Sequence, residues 1–446
     1  MSKIKFGMGY NLEYISPFVG KNESGFDKTL VGIIAGCVVF FNGIGAAEAT
    51  DYYVQSPLVA SGATDPGTGT QDNPFRSFWN PMKYLQPGDT LHVLGGPYSS
   101  LLYLTVSGTA TAPIKIEGDP TNLTQIAVTT GNAIQFKAGV SYISVSNFDV
   151  SATAVGGNGI FTEGSAPVSH IGFYHNRVHD CGAAGFGLIH TDYVTVMRNV
   201  VYNNAWLSPS DSSGIDLYQL TNVDQMLQHN HNYIADNIVY GNANKVPKVA
   251  GTPVTDGNGI IIDDARHTQG GYLATAPAYT AGTLIENNIV FNNGGRAIHV
   301  FSSDNVTIRN NTTFMNNTDP TTAVTSGEIE AMATGNVSIY NNILWALGNA
   351  QTGFEAQGST NLYVDYNLVY NTATTTYLRR NTGEQWGVHN MLANPLFVNA
   401  STNPSIANFE IEAASPAIGA GKPGAGAAYD FNGVKRPSIA ALGAYE

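Results

Sequence analysis

Apolar and polar residues alternate along this chain in bursts of only four or five. Gly214-Ile215-Asp216-Leu217-Tyr218, Ala297-Ile298-His299-Val300-Phe301 and Val306-Thr307-Ile308-Arg309 each show a period of two. That period predicts a short strand with one apolar and one polar face. After such strands a second pattern returns, Asn-x-apolar-aromatic. It reads Asn199-Val200-Val201-Tyr202, Asn237-Ile238-Val239-Tyr240, Asn288-Ile289-Val290-Phe291, Asn342-Ile343-Leu344-Trp345 and Asn367-Leu368-Val369-Tyr370. Looser versions begin at Asn147, Asn176 and Asn311, and the intervals run from 23 residues (176 to 199, 288 to 311) to 51 (237 to 288).

Repeats of this length, each too small to bury its own apolar face, predict a solenoid in which every coil contributes three strands and neighbouring coils cover one another. The sequence therefore predicts an all-β, right-handed parallel β-helix. The recurring Asn is expected at the turn between strands, where it tolerates left-handed φ and can bond the Asn one coil away. Asn80-Pro81-Met82-Lys83-Tyr84-Leu85 reads as a helix capping the N-terminal end, with an Asn cap and Pro in the first turn. From about 394 the repeat gives way to Gly-, Ala- and Pro-rich sequence, expected to close the other end.

Composition fits a β-rich extracellular protein: 12% of the 446 residues are charged, 49 are Gly, and 43% are hydrophobic. The net charge of −13 argues against nucleic acid, whose phosphates call for a basic surface. An anionic substrate would then need a local cation to offset repulsion. The apolar run Leu30–Phe41 after Lys28, followed by Ala47-Glu48-Ala49, predicts a signal peptide over 1–49 and a mature domain over 50–446. The run is short for a membrane span. The mature chain is expected to be secreted or periplasmic and monomeric, with no membrane contact. Of the two cysteines, Cys37 falls in the leader and Cys181 is expected to be a buried apolar residue.

Written in register, the first strand of each coil gives one ladder: Phe161, Ile189, Asp216, Ile261, His299, Glu330 and Glu355. If Ile215 points inward, Asp216 points outward, and Tyr218, Asp263 and Phe301 share its face. Asp211, Asp256, Asn258 and Arg296 lie where those strands begin. Two long connections, after Tyr218 and after Asp264, are expected to wall a groove, and they carry the aromatic residues Tyr272 and Tyr279. Trp206, in the turn before Asp211, is a third candidate for stacking on sugar rings. His229, His231 and His267 lack the spacing of a closed zinc site and read as solvated loop residues.

Over roughly 50–446 the sequence resembles the pectate-lyase-like β-helix superfamily, and Asp211-Ser212-Ser213-Gly214-Ile215-Asp216-Leu217-Tyr218 is similar to the calcium-binding strand of polysaccharide lyase family nine. That family has adjacent acids where this chain has Ser212 and Ser213, and a lysine base that no strand supplies here. The resemblance implies cleavage of a uronate-containing polysaccharide by β-elimination. Such chemistry needs the substrate carboxylate neutralised, commonly by calcium, and a base beside the α-proton. Asp216, Asp256, Asp263 and Asp264 are the candidate Ca²⁺ ligands, since calcium takes six to eight oxygens. Arg296, His299 and Asp263 are the candidate catalytic groups, with Lys245 and Lys248 as further bases. Tyr218, Asn258, Arg266 and Glu330 are candidates for holding the acidic polysaccharide. Two alternatives stand beside the lyase. One is a glycoside hydrolase or epimerase using paired carboxylates, such as Asp216 with Asp263 or Asp264. The other is a non-catalytic glycan-binding β-helix.

Overall fold

A computed structural model describes residues 48–60, 62–319, 326–348, 351–372, 378–380 (backbone only) and 387–446. The expected leader, apart from Glu48 and Ala49, lies outside these residues, as does Cys37. Thr50–Glu446 form one compact unit. No helix among the described residues is long and apolar enough to cross a membrane.

Among the described residues, three parallel sheets run along the stack, with eleven, ten and ten strands. The first begins at Asp51–Gln55 and ends at Thr360–Asp365. The second runs from Thr124–Val128 to Met391–Leu392, and the third from Leu102–Leu104 to Leu378–Arg380. One coil reads Asn230–Ala235, Ile238–Tyr240, Ile260–Asp263, one strand in each sheet. Alternation decides which side chains fill the centre. Ile215 and Leu217, then Ile260 and Ile262, then Ile298 and Val300 are at most 1% exposed and join one continuous core.

Asparagines hold the coils in register. Asn176, Asn199, Asn237, Asn288, Asn311, Asn342, Asn367 and Asn390 form a single file. From Asn199 on, each side-chain oxygen accepts from the backbone N–H and the side-chain amide of the Asn one coil earlier. The left-handed residue is the one before the Asn (Arg198, Asp236, Asn287, Asn310, Asn341), not the file Asn as the sequence suggests. Asn147 is such a corner residue and stands outside the file; Phe148 occupies the file position and donates its N–H to Asn176. Five residues on lies a second file, Asn204, Asn242, Asn293 and Asn316. It ends on Glu328, whose carboxylate accepts from Asn316. Burial lifts the Glu328 pKa to about 7 against those bonds.

The recurring strand is only three residues long, so its middle residue (Val239, Val290, Leu344) enters the core and its flanks face outward. Those flanks, including Ile238, Tyr240, Ile289, Phe291 and Phe314, form a second apolar cluster roofed by Phe397, Phe409, Leu442 and Ala444. The closing segment is therefore a strap laid along the stack rather than a plug at its end. It bonds successive corners: Asn287 to Tyr429 and Arg436, Asn310 to Ala427, Ala441 and Gly443, and Asn341 to Lys422 and Gly443.

The N-terminal capping helix is not formed. Pro81–Lys83 make one 3-10 turn, and Asn80 makes no side-chain cap bond, accepting instead from Lys83 Nζ. Six residues ahead of Pro87-Gly88 are too few to repay helix nucleation. Phe75, Phe78 and Leu85 of this region extend the core instead. Cys181 is fully buried, and burial pushes its thiol pKa up to about 12, as suits a structural cysteine.

One ion cluster on the second sheet gives a pH test. His179 lies between Asp149 (2.6 Å) and Asp180 (2.7 Å), and Arg177 also pairs with Asp149. Burial opposes the imidazolium, but the two carboxylates outweigh it and lift the His179 pKa to about 9. A pKa raised on folding stabilises below the unfolded value near 6.5, and that stabilisation is lost as pH rises through the folded value. Between pH 6.5 and 9.5 the protein should lose roughly 3 kcal/mol more stability than its His179→Gln variant. Urea unfolding of both across that range measures the difference.

Candidate active site

The third sheet carries the ladder that the alternation predicts, with one correction. Backbone pairing runs Phe161, Gly187, Asp216, Ile261, His299, Glu330 and Glu355, so Gly187, not Ile189, stands beside Asp216. Ile189 belongs to the parallel ladder Ile189, Tyr218, Asp263, Phe301 and Met332. Above these strands opens a cleft of about 730 Å³. Asp211, Asp216, Asp256 and Asp263 line it with Lys248, Arg296 and His299.

Loops wall the cleft as the long connections suggest. Tyr218 donates its hydroxyl to Gly270 O (2.8 Å), and Gln219 reaches both Gly270 O and Asp264, pinning the segment after Asp264 over the strand exits. Tyr272 of that segment lines the cleft and is 59% exposed, available for stacking. Tyr279 is not: it is buried, donating to Asp192 and accepting from Asn232. Trp206 faces a separate depression with Asp180 and Lys245, so Lys245 is not a candidate base for this cleft.

Other candidates are placed differently from the sequence expectation. Asp264 is fully buried in the turn, accepting from Gln219, Thr268 and Gln269, and does not line the cleft. Asn258 is likewise buried, bridging Ser213, Asp256 and the Arg296 backbone, and serves as a brace. Arg266 lies past the turn and holds Asp304 through two nitrogens. Glu330 is 2% exposed beneath Arg296, whose Nε it accepts, while Arg296 Nη1 donates to Thr255 O. An ion-paired guanidinium supplies charge and shape to the cleft; as a proton-abstracting base Arg296 is poorly placed. Lys248 pairs with Asp211 at 2.8 Å. Two of the loop histidines are buried: His231 pairs with Asp192, and His267 bonds Ala276 and Leu220 carbonyls.

The aspartates are unequal. Asp216 has an unpartnered, buried Oδ1, and its pKa is held well above the carboxylate range by burial and then by the charges of Asp263, Asp256 and Asp211. Asp263 is also raised, by burial and then Asp256 and Asp264, but Gln269 Nε2 donates to its Oδ1 at 3.0 Å and favours ionisation. Burial lifts Asp256 to about 6 against the pull of Arg296. His299 is 6% exposed, neither ring nitrogen has a partner, and burial followed by the Arg296 charge holds its pKa well below 6.5. It is a neutral imidazole in the cleft floor, not an exposed one. The unpartnered Asp216 Oδ1 would welcome a cation. Among the described residues, however, no three His, Cys, Asp or Glu side chains stand close enough together to hold a metal ion. Of the four expected calcium ligands, Asp216, Asp256 and Asp263 line the cleft and Asp264 does not.

Residues 253–408 match a family model described as "Right handed beta helix region". No curated protein matches the sequence. Several solved structures are similar to the chain at low identity. The pectate lyase Pel9A is 16% identical over 90% of this chain and 97% of its own, with a TM-score of 0.49. A GH136 lacto-N-biosidase from Eubacterium ramulus is 14% identical over 77% of this chain and 68% of its own, at 0.45. An alginate lyase from Paenibacillus sp. str. FPU-7 is 14% identical over 67% of this chain and 93% of its own, at 0.37. The chain is a right-handed parallel β-helix protein.

Proposed function

We propose that this protein is a secreted polysaccharide-cleaving enzyme, a glycoside hydrolase in which Asp216 and Asp263 act as an acid–base pair. The observation that carries this reading is their placement: two outward carboxylates on neighbouring strands, opening into one walled cleft. One strand spacing and two residues separate them, about 8 Å between Cα positions by strand geometry. That suits carboxylates flanking a glycosidic bond. Asp216, without a donor to its buried oxygen, keeps its proton and delivers it to the glycosidic oxygen as the C–O bond breaks. Asp263, whose ionised form the Gln269 amide favours, attacks the anomeric carbon or takes a proton from the attacking water. Tyr272 offers a stacking surface on the exit-side wall.

The second reading is β-elimination of an acidic, uronate-containing polysaccharide, with calcium drawn to the aspartates. Two observations favour it: the unpartnered Asp216 oxygen and the neutral His299 imidazole, whose ring nitrogens have no protein partner. Incubation with a panel of neutral and uronate polysaccharides, with and without chelator, separates the two. Reducing ends that appear in excess chelator, without ultraviolet absorbance from an unsaturated product, are the expected result. Chelator-sensitive absorbance would replace the hydrolase with the lyase.

A further inference from the structure

The strand Ile298–Phe301 sends Ile298 and Val300 into the core and turns His299 and Phe301 toward the cleft. The two rings stand 5.7 Å apart and tilted by 58°, so they form an angled seat. His299 is unusual within it. A buried polar group without a partner costs free energy, and here both nitrogens lack one. Such a group is retained where a ligand completes it. A neutral imidazole has one donor and one acceptor, so either nitrogen can bond a hydroxyl, which both gives and takes a hydrogen bond.

We propose that His299 and Phe301 form a sugar subsite built for an uncharged ring, one imidazole nitrogen bonding a ring hydroxyl while the ring's C–H face lies on Phe301. The inference rests on the carboxylate-pair reading for its position. Phe301 is in register with Asp263 one coil away, about 4.8 Å, and His299 stands two coils from Asp216, roughly 9.6 Å. A ring seated there is next to the bond that Asp216 and Asp263 flank. The charges decide which ring. Arg296, the nearest cation, is spent on Glu330 and Thr255, and Lys248 is spent on Asp211. The carboxylates Asp256 and Asp263 remain in the same cleft. A uronate placed at this seat would face carboxylates with no unpaired cation to meet it. The occupant is a neutral hexose or pentose unit of a polysaccharide.

The test is binding, measured by calorimetry on the full chain. The probes are neutral hexasaccharides (cello-, xylo-, manno- and galacto-series) and oligouronates, the latter with and without calcium. In parallel, ¹⁵N shifts of the histidine rings are recorded, with His299 assigned by its absence in His299→Phe. A neutral hexasaccharide is expected to bind and to shift the His299 nitrogens. His299→Phe and His299→Ala should weaken that binding by about 10-fold or more. His299→Gln, whose amide keeps one donor and one acceptor, should stay within about 3-fold of wild type. Melting temperatures show that the variants are folded. Binding confined to oligouronates, binding indifferent to all three substitutions, or no binding by any probe overturns the subsite. Neutral binding without cleavage would leave the subsite standing and remove the carboxylate pair. Cleavage of a neutral polysaccharide with binding unaffected by His299→Phe would do the reverse.

Discussion

Asp216→Asn should lower cleavage of the substrate polysaccharide by about 10³-fold or more, and Asp263→Asn by a similar factor, since each removes one half of the acid–base pair. Stability should move the other way. The raised pKa of Asp216 comes from burial and neighbouring carboxylates. A raised folded pKa gives stability at low pH that is lost as the group ionises. At pH 8 the wild-type chain bears that penalty and Asp216→Asn does not, so the variant should melt higher at pH 8 and near wild type at pH 4. Steady-state rates on a verified substrate and melting curves at both pH values check this. An Asp216→Asn enzyme that retains wild-type turnover would place the acid elsewhere in the cleft.

Asn288→Ala is expected to cost about 3 kcal/mol or more. The Asn288 amide donates to Ile234 O, Glu286 O and Asn311 Oδ1. Its oxygen accepts from the Asn237 backbone and amide. The site is fully buried, so alanine leaves several of these groups without water or protein partners, and the loss exceeds that of the bonds alone. Denaturant unfolding of the variant measures it. A change below about 1 kcal/mol would mean that the file relaxes around the gap.

The repeat was legible because one residue type, Asn, returned at a fixed offset from an apolar-aromatic pair. The second file is equally legible in Asn204, Asn242, Asn293 and Asn316, each five residues after a member of the first. Alternation told which residues face outward but not their register: Gly187 and Ile189 both point out, and only backbone pairing sets Gly187 beside Asp216. The aspartate cluster was read from that same alternation. What failed depended on partners distant in sequence. Arg296 is bound to Glu330, 34 residues on; His231 to Asp192, 39 residues back; Tyr279 to Asp192, 87 residues back. No local pattern marks such pairs. The capping helix was read from propensity signals at Asn80 and Pro81, which six residues could not sustain.

The strap of residues beyond 394 has a consequence for how the molecule opens. Its bonds reach the corners Asn287, Asn310 and Asn341, whose coils carry His299, Glu330 and Glu355 on the far side. The coils of Asp216 and Asp263 lie before the first of these corners. The cleft thus straddles the point at which the strap's corner hydrogen bonds begin, and local unfolding follows such boundaries. Amide hydrogens of Gly282–Glu286 and Val306–Arg309 should exchange as one slow cooperative block. Those of Ile215–Tyr218 should exchange earlier, so that warming takes the acidic half of the cleft out of alignment while the half holding His299 is still folded.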